Sequence, residues 1–466
     1  MERQAKSDKR KKSSAAGMTR RGFVKGALAS AATVTLVPRH VLGGAGFSPP
    51  SETVNLGGIG AGGMGGGDVR RCAKLGANIV ALCDVDDERA SGTYKAFPRA
   101  TRYKDFRVML EKEEKNIDAV TVGTPDHIHG IASMNAMRMG KHVYCEKPLT
   151  RTIAECRKMA EYAKKYGVAT QMGNQGHAAE GARLTNEWIQ AGIIGEVREV
   201  HVWTDRAGDH WPQGIPHPTK ADPIPAGFDW ELWQGASRTL RPFNSMYAPH
   251  IWRGWFDYGT GALGDMGCHI INHPFWALHL GMPTRVRAST SIYGTRKKGG
   301  EINQASFPHT SIVYYEFPAR GALPPVKMTW YDGGLQPPKP EEMPANDEMP
   351  GNAALYIGSK GKLIHGSHGG MPTLIVGNQE EALAVPKSIP RSIGHHEEWL
   401  EACKGGKPAV SDFEYAAAMT EVVLLGVLAA RAPGKSLEWD PREMKVTNLP
   451  ELDEFVHPHY RTGWTV

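Results

Sequence analysis

Val54-Asn55-Leu56-Gly57-Gly58-Ile59-Gly60-Ala61-Gly62-Gly63-Met64-Gly65 decides the fold, because a short apolar run breaks there into Gly60-x-Gly62-x-x-Gly65. A strand that passes into a helix through small residues can turn tightly, bring its backbone against a pyrophosphate and offer free helix N–H groups to it. Gly60, Ala61, Gly62, Gly63, Met64 and Gly65 are therefore the expected cradle. Among 54 glycines such spacing could arise by chance, but context makes it specific. A second apolar run, Ile79-Val80-Ala81-Leu82-Cys83, ends on Asp84, at about the twenty-residue distance where a carboxylate meets the adenosine ribose hydroxyls.

Working outward, Val69, Cys72 and Ala73 continue at helical spacing until Gly76, and Ile117 to Val122 reads as another buried parallel strand. It leads into Gly123-Thr124-Pro125-Asp126-His127-Ile128-His129. His142-Val143-Tyr144-Cys145 forms the next strand and delivers Glu146-Lys147-Pro148. Ligands of doubly wound sheets lie beyond the carboxyl ends of the strands, so Thr124, Pro125, His129, Glu146 and Lys147 are expected to border the dinucleotide. Asp84, followed by Asp86 and Asp87, favours NAD, since a ribose phosphate would face like charge; Arg89 leaves NADP open.

With 466 residues the chain exceeds one ordinary core. The expected divisions are residues 1–48 as a leader and linker, 52–173 as the nucleotide domain and 174–466 as a second domain. The net charge of +6 does not argue for nucleic acid. Of 55 Lys/Arg and 49 Asp/Glu, nine and two lie between Met1 and Lys25, leaving a body of 46 and 47 with no overall basic field. The six cysteines show no paired spacing and read as free thiols in apolar patterns.

In the leader, Thr19-Arg20-Arg21-Gly22-Phe23-Val24-Lys25 precedes a mildly apolar run from Gly26 to Val37 that is short for a membrane span. It resembles a twin-arginine export signal. That resemblance implies passage through the twin-arginine machinery to the periplasm or another extracytoplasmic site, with a membrane tether if the signal is retained.

The order Gly60-x-Gly62-x-x-Gly65, Asp84, Thr124-Pro125-Asp126-His127-Ile128-His129, Glu146-Lys147-Pro148 and Gly264-Asp265-Met266-Gly267-Cys268-His269 resembles the Gfo/Idh/MocA oxidoreductase family. The resemblance implies an α/β protein: an N-terminal Rossmann domain with a doubly wound parallel sheet, then an α/β domain with a large open, mainly antiparallel sheet. That sheet is often used for oligomer contacts, so a homo-oligomer, dimer or tetramer, is expected. The family's active-site lysine, aspartate and histidine match Lys147, Asp265 and His269.

Asp265, His269 and His273 stand at i, i+4 and i+8, which on one helix points all three the same way. Removing hydride from a secondary alcohol needs a base for the hydroxyl proton, and imidazole with an ordinary pKa near 6.5 suits that task better than an amine near 10.4. His269 is accordingly expected as general acid/base, Lys147 as the group that polarises the reacting oxygen, and Asp265 as the residue that orients substrate or raises the histidine's basicity. Substrate contacts are expected from Lys147, Gln175, His177, Trp203, Arg206, Trp252, Arg253, Asp265, His269 and His273. Trp203, Trp211, Trp230, Trp233, Trp252 and Trp255 surround a Pro- and Gly-rich loop from Asp205 to Arg253, a plausible carbohydrate platform unless they simply pack that loop.

Rival readings are a divalent-metal site using Asp265, His269 and His273 with His177 or His250, and a catalytically dead sugar-binding protein. Helical His pairs at i, i+4 are common without metal, so no metal is assigned, and the intact Lys147, Asp265 and His269 disfavour a dead protein. The expected activity is NAD-dependent hydride transfer to or from a secondary alcohol of a sugar, glycoside or polyol. An exported enzyme could not exchange NAD with a cellular pool, so the cofactor would be tightly held and its hydride returned. This leaves redox-neutral glycoside hydrolysis, through transient oxidation at C3, elimination and re-reduction, as the alternative.

Overall fold

The structure, a computed structural model, describes residues 52–291 and 304–465. The twin-arginine segment, with Arg20 and Arg21, lies outside the described residues. Asn55–Ile59 (β1) runs through the glycine turn into Gly63–Lys74 (α1). Asn78–Cys83 (β2), Asp87–Ala96 (α2), Thr101–Tyr103 (β3), Phe106–Lys112 (α3), Ala119–Val122 (β4), Asp126–Arg138 (α4), His142–Glu146 (β5), Ile153–Tyr166 (α5) and Thr170–Gly173 (β6) follow. The six strands form one sheet in the order β3-β2-β1-β4-β5-β6, every pairing parallel. Strands β4 to β6 are buried almost throughout, which is why β4 and the centre of β5 read as apolar runs without alternation. Helix α5 is started by a capping box in which the Thr152 backbone N–H donates to Glu155 at 3.1 Å.

The chain continues through Glu180–Gln190 (α6), Val197–Trp203 (β7), Trp230–Gln234 (α7), Gly261–Ile270 (α8), Asn272–Ala277 (α9), Arg285–Thr290 (β8), Ser311–Phe317 (β9) and Val326–Tyr331 (β10). Then come Ala353–Gly358 (β11), Lys362–Gly366 (β12), Thr373–Val376 (β13), Gln379–Leu383 (α10), His395–Cys403 (α11), Phe413–Ala429 (α12), Ser436–Asp440 (β14) and Lys445–Val446 (β15). The second sheet has nine strands in the order β13-β12-β11-β7-β10-β9-β8-β14-β15. It is mixed, because β7 and β10 run parallel while the other pairings are antiparallel. Its strands alternate, as in β9, where Ser311, Val313, Tyr315 and Phe317 face inward toward the helices.

Later parts of the chain close the nucleotide domain from behind. Trp399 and Leu400 of α11 pack with Leu56 and Tyr144, and His396 Nε2 lies 2.9 Å from the buried carboxylate of Asp68 on α1. All six cysteines are free, and all but Cys403 are fully buried. Among the described residues no helix is long and apolar enough to cross a membrane.

The helix expected to carry Asp265, His269 and His273 together is divided in two. It ends at Ile270, and α9 starts at Asn272. Pro274 has no backbone N–H to give the Ile270 carbonyl, so the hydrogen-bond ladder is interrupted there.

Candidate active site

The glycine turn is a close contact of three backbones. Gly60 has φ +83°, and a Cβ there would stand 2.7 Å from the Gly123 carbonyl. A Cβ on Gly65 would stand 2.1 Å from the Gly60 oxygen. Glycine is therefore required at both positions for α1 to sit against β1 and β4, and no acidic residue occupies the first turn of α1, which leaves its N–H groups for an anion. Asp84 follows β2 with one oxygen accepting from the Gly62 N–H at 2.8 Å and the other from the Asp86 N–H at 2.9 Å. Burial raises its carboxyl, and those amides work against the rise. Arg89 lies against Gly62 and Gly63 and lines the groove beside Asp84.

A groove starts at this turn. Gly60, Gly62, Met64, Asp84, Thr124, Pro125, His129, Glu146 and Lys147 all line it, as do Trp252 and Arg253 from the second domain. Most of the expected cofactor residues are thus brought together. His129 is 1% exposed, with Nδ1 2.8 Å from the Pro148 carbonyl and Nε2 2.8 Å from that of Thr124. It clasps the loop after β4 to the loop after β5, a positioning role, and leaves no nitrogen for a ligand. Glu146 is buried behind the rim, accepting from the Gln175 side chain at 3.0 Å. Burial, reinforced by the charge of Asp68, pushes its carboxyl upward.

At the far end of the groove Lys147 Nζ donates to Asp265 Oδ1 at 2.8 Å and to the Asp265 carbonyl at 3.0 Å. Arg253 Nε donates to the same Oδ1 at 3.1 Å while its guanidinium lies 4.3 Å over the Trp252 ring. Burial alone would raise the Asp265 carboxyl, but the Lys147 and Arg253 cations outweigh it and hold the group well below the ordinary carboxylate range. One turn along α8, His269 is 5% exposed, and its Nδ1 has no hydrogen-bond partner. Burial, then the charges of Lys147 and His368, keep its imidazole well below the ordinary 6.5.

His368 escaped the sequence reading. It lies in the loop after β12, in left-handed backbone at φ 57°, with its ring stacked on His269 at 3.9 Å and its N–H donating to the His269 carbonyl at 3.3 Å. The signal available was an exposed histidine in the glycine-rich run Gly366-Ser367-His368-Gly369-Gly370, but nothing in the chain places that run beside residue 269.

Several expected substrate contacts are placed elsewhere. His273, on the far side of the helix break, accepts from the Gly369 N–H at 3.1 Å and supports the loop that carries His368. His177 is buried against Trp276 at 4.4 Å and hydrogen-bonds Asn272 at 3.0 Å. Gln175 points toward Glu146 and Tyr144. Arg206 pairs with its neighbour Asp205 at 2.7 Å, and its charge helps lower the proton affinity of the His368 imidazole.

Trp203 is 0% exposed, with its indole N–H given to the Pro350 carbonyl at 2.6 Å. Trp230, Trp233 and Trp255 form a small core with Phe243, Tyr247 and Tyr258, so the tryptophans around the loop mainly pack it, and of those six Trp233 and Trp252 reach the groove. Among the described residues no group of three or more His, Cys, Asp or Glu side chains could hold a metal ion.

Residues 54–174 match the model of an oxidoreductase family, described as its NAD-binding Rossmann fold, and residues 183–287 match the same family's C-terminal α/β domain. Inositol 2-dehydrogenase of Salmonella paratyphi B is 29% identical over 153 residues, 32% of this chain and 45% of the relative. A glycosyl hydrolase family 109 protein of Shewanella pealeana is 28% identical over 159 residues, 32% of this chain and 34% of the relative. The chain thus spans less than half the length of these curated relatives. The WlbA dehydrogenase from Bordetella pertussis, solved in complex with NADH and UDP-GlcNAcA, shares the fold at a TM-score of 0.56 and 17% identity, over 83% of this chain and 99% of that one. The paired domain matches and the two sheets agree: residues 54–174 are similar to the NAD-binding Rossmann fold of the GFO/IDH/MocA oxidoreductase family, and residues 183–287 to that family's C-terminal α/β domain.

Proposed function

We propose that this protein is an NAD-dependent oxidoreductase that moves a hydride to or from a secondary alcohol carbon of a sugar, glycoside or polyol. The observation that carries this reading is the convergence of Lys147, Arg253 and Asp265 at one end of a groove whose other end is the glycine turn and Asp84. The backbone cradle that a Cβ at Gly65 would fill, and the carboxylate after β2, fit a dinucleotide. Asp84 favours NAD over NADP by like-charge repulsion of a ribose phosphate. Bound nicotinamide supplies the hydride acceptor or donor.

The protein's own residues handle the oxygen and its proton. Lys147 presents an ammonium to the reacting oxygen and stabilises negative charge that develops there. Asp265, kept ionised, fixes Lys147 and Arg253 in place. His269, kept neutral, takes the hydroxyl proton on oxidation and returns it on reduction. A base works only in its unprotonated form, and the histidine's depressed affinity for protons keeps it unprotonated to lower pH. The acid limb of kcat/KM is therefore expected well below pH 6.5, and a limb at or above 6.5 would remove His269 from that role.

The family 109 relative favours a second reading in the same site, cleavage of a glycoside without net redox change. There the C3 hydroxyl is oxidised to a ketone, the acidified C2 proton leaves and the C1–O bond breaks. Water then adds at C1, and the ketone is reduced by the same hydride. Incubation with sugars and aryl glycosides, following NADH absorbance and released aglycone together, separates the two. Stoichiometric NADH supports the first, while aglycone release without added NAD supports the second. Absence of both on a broad panel overturns the proposal.

The same reading carries export by Arg20 and Arg21, with NAD loaded before export and held as a prosthetic group, and assembly as a dimer or tetramer. Loss of export in Arg20→Lys/Arg21→Lys, together with the mass of the particle in solution, checks these two points.

A further inference from the structure

We infer that the adenosine half of the groove is completed from outside the Rossmann domain, by Trp464 and the segment 227–233, and that these elements set how fast the dinucleotide leaves. The inference rests on the NAD reading above and goes beyond it.

The sheet fixes which end is which. The glycine turn marks the pyrophosphate, and Lys147 after β5 marks the reacting end. Asp84 after β2 marks the ribose at the opposite end. A base attached to that ribose must extend along the loops after β2 and β3. The groove there is walled by Phe106 of α3 and Ile128 of α4, and beyond them by Phe228, Leu232, Trp233 and Trp464. The last four lie far along the chain from the nucleotide-binding motifs, and three of the six walls are aromatic rings from outside the Rossmann sheet. Flat apolar walls suit a purine, whose π faces stack on aromatic side chains.

Both outside elements are fastened where the base would enter. Segment 227–233 pairs with the loop after Asp84, since Asp87 N–H donates to the Gly227 carbonyl at 3.2 Å and Asp229 N–H to the Val85 carbonyl at 2.9 Å. Lys104 Nζ pins the pairing, donating to the Gly227 carbonyl at 2.6 Å and to that of Val85 at 3.2 Å, with the Asp87 carboxylate at 2.9 Å. Trp464 is 4% exposed, with the Arg107 guanidinium 3.9 Å over its ring and Phe106 at 6.0 Å. Arg107 also donates to the Gly463 carbonyl at 2.9 Å. A base in this slot leaves only when one of these clasps opens, so exchange is slowed by contacts that a bare nucleotide domain lacks.

The test is the rate at which bound NADH is released into excess NAD, followed by NADH fluorescence on the full chain. Trp464→Ala is expected to speed release by about tenfold or more, in line with the loss of one base-stacking ring. Trp464→Phe, which keeps an aromatic wall, should stay near wild type, and Lys104→Met, which frees segment 227–233 at the edge of the groove that Lys104 also lines, should speed release. Should Trp464→Ala fold poorly, the Lys104→Met and Trp464→Phe pair decides the matter. Unchanged release in Lys104→Met together with Trp464→Ala, or in Lys104→Met alone if the alanine variant cannot be prepared, would overturn the inference. Wild-type protein that binds no NADH at all would instead overturn the NAD reading.

Discussion

Lys147→Ala is expected to lower kcat by about 10³-fold, the loss typical of removing one preorganised cation or donor at a developing oxyanion. Two effects combine. The reacting oxygen loses the ammonium that would stabilise its charge, and Asp265 loses the closer of its two partners, at 2.8 Å against 3.1 Å for Arg253. The pair is nearly buried, its side chains 12% and 11% exposed, so its removal also leaves a carboxylate poorly compensated. Breaking such a pair typically costs about 3–5 kcal/mol of stability, and part of any activity loss could be lost structure. Dinucleotide affinity and melting temperature of the variant separate the two causes. A folded Lys147→Ala protein that binds NADH and turns over within tenfold of wild type would refute the assigned role.

Gly65→Ala should abolish dinucleotide retention, whereas Gly67→Ala, two residues later in the same helix, should leave it intact. In isolation both changes favour a helix by up to about 1 kcal/mol. Their surroundings differ completely. The Cβ of residue 65 would stand 2.1 Å from the Gly60 oxygen and 3.1 Å from Gly123 Cα, while that of residue 67 would meet nothing within 4 Å. To relieve the clash α1 must move off β1 and β4, which opens the phosphate cradle and adds an overpacking cost of about 1–3 kcal/mol. Equilibrium titration with NADH and thermal melting check both variants. Binding by Gly65→Ala within a few fold of wild type would show that the turn does not grip phosphate as described.

The nucleotide domain was legible because its buried strands carry a local pattern. Ile79 to Cys83 and His142 to Cys145 were readable as apolar runs, and they emerge as β2 over Asn78–Cys83 and β5 over His142–Glu146. Strand β3, Thr101–Tyr103, was missed, since three mostly exposed edge residues carry no hydrophobic period. In the second domain Ser311–Phe317 and Val326–Tyr331 alternate buried and more exposed residues, a local pattern, whereas the parallel pairing of β10 with β7 joins strands more than a hundred residues apart. The i, i+4, i+8 pattern spans two helical segments in the structure, since Pro274 has no amide to continue the ladder from α8 into α9.

By itself the sequence determined the phosphate cradle and the carboxylate that follows β2. Those features depend on residue type at fixed local spacing, which the chain states directly. Only the tertiary structure decided which candidates face the groove. It turned His177, Gln175 and Trp203 into packing and hydrogen-bonding members of the interior, and made His129 a clasp between two loops. It also brought His368 onto His269 and Trp464 beside Phe106. These contacts join residues about a hundred to more than three hundred and fifty positions apart, and only the packing of the whole molecule decides which side chains meet across such separations.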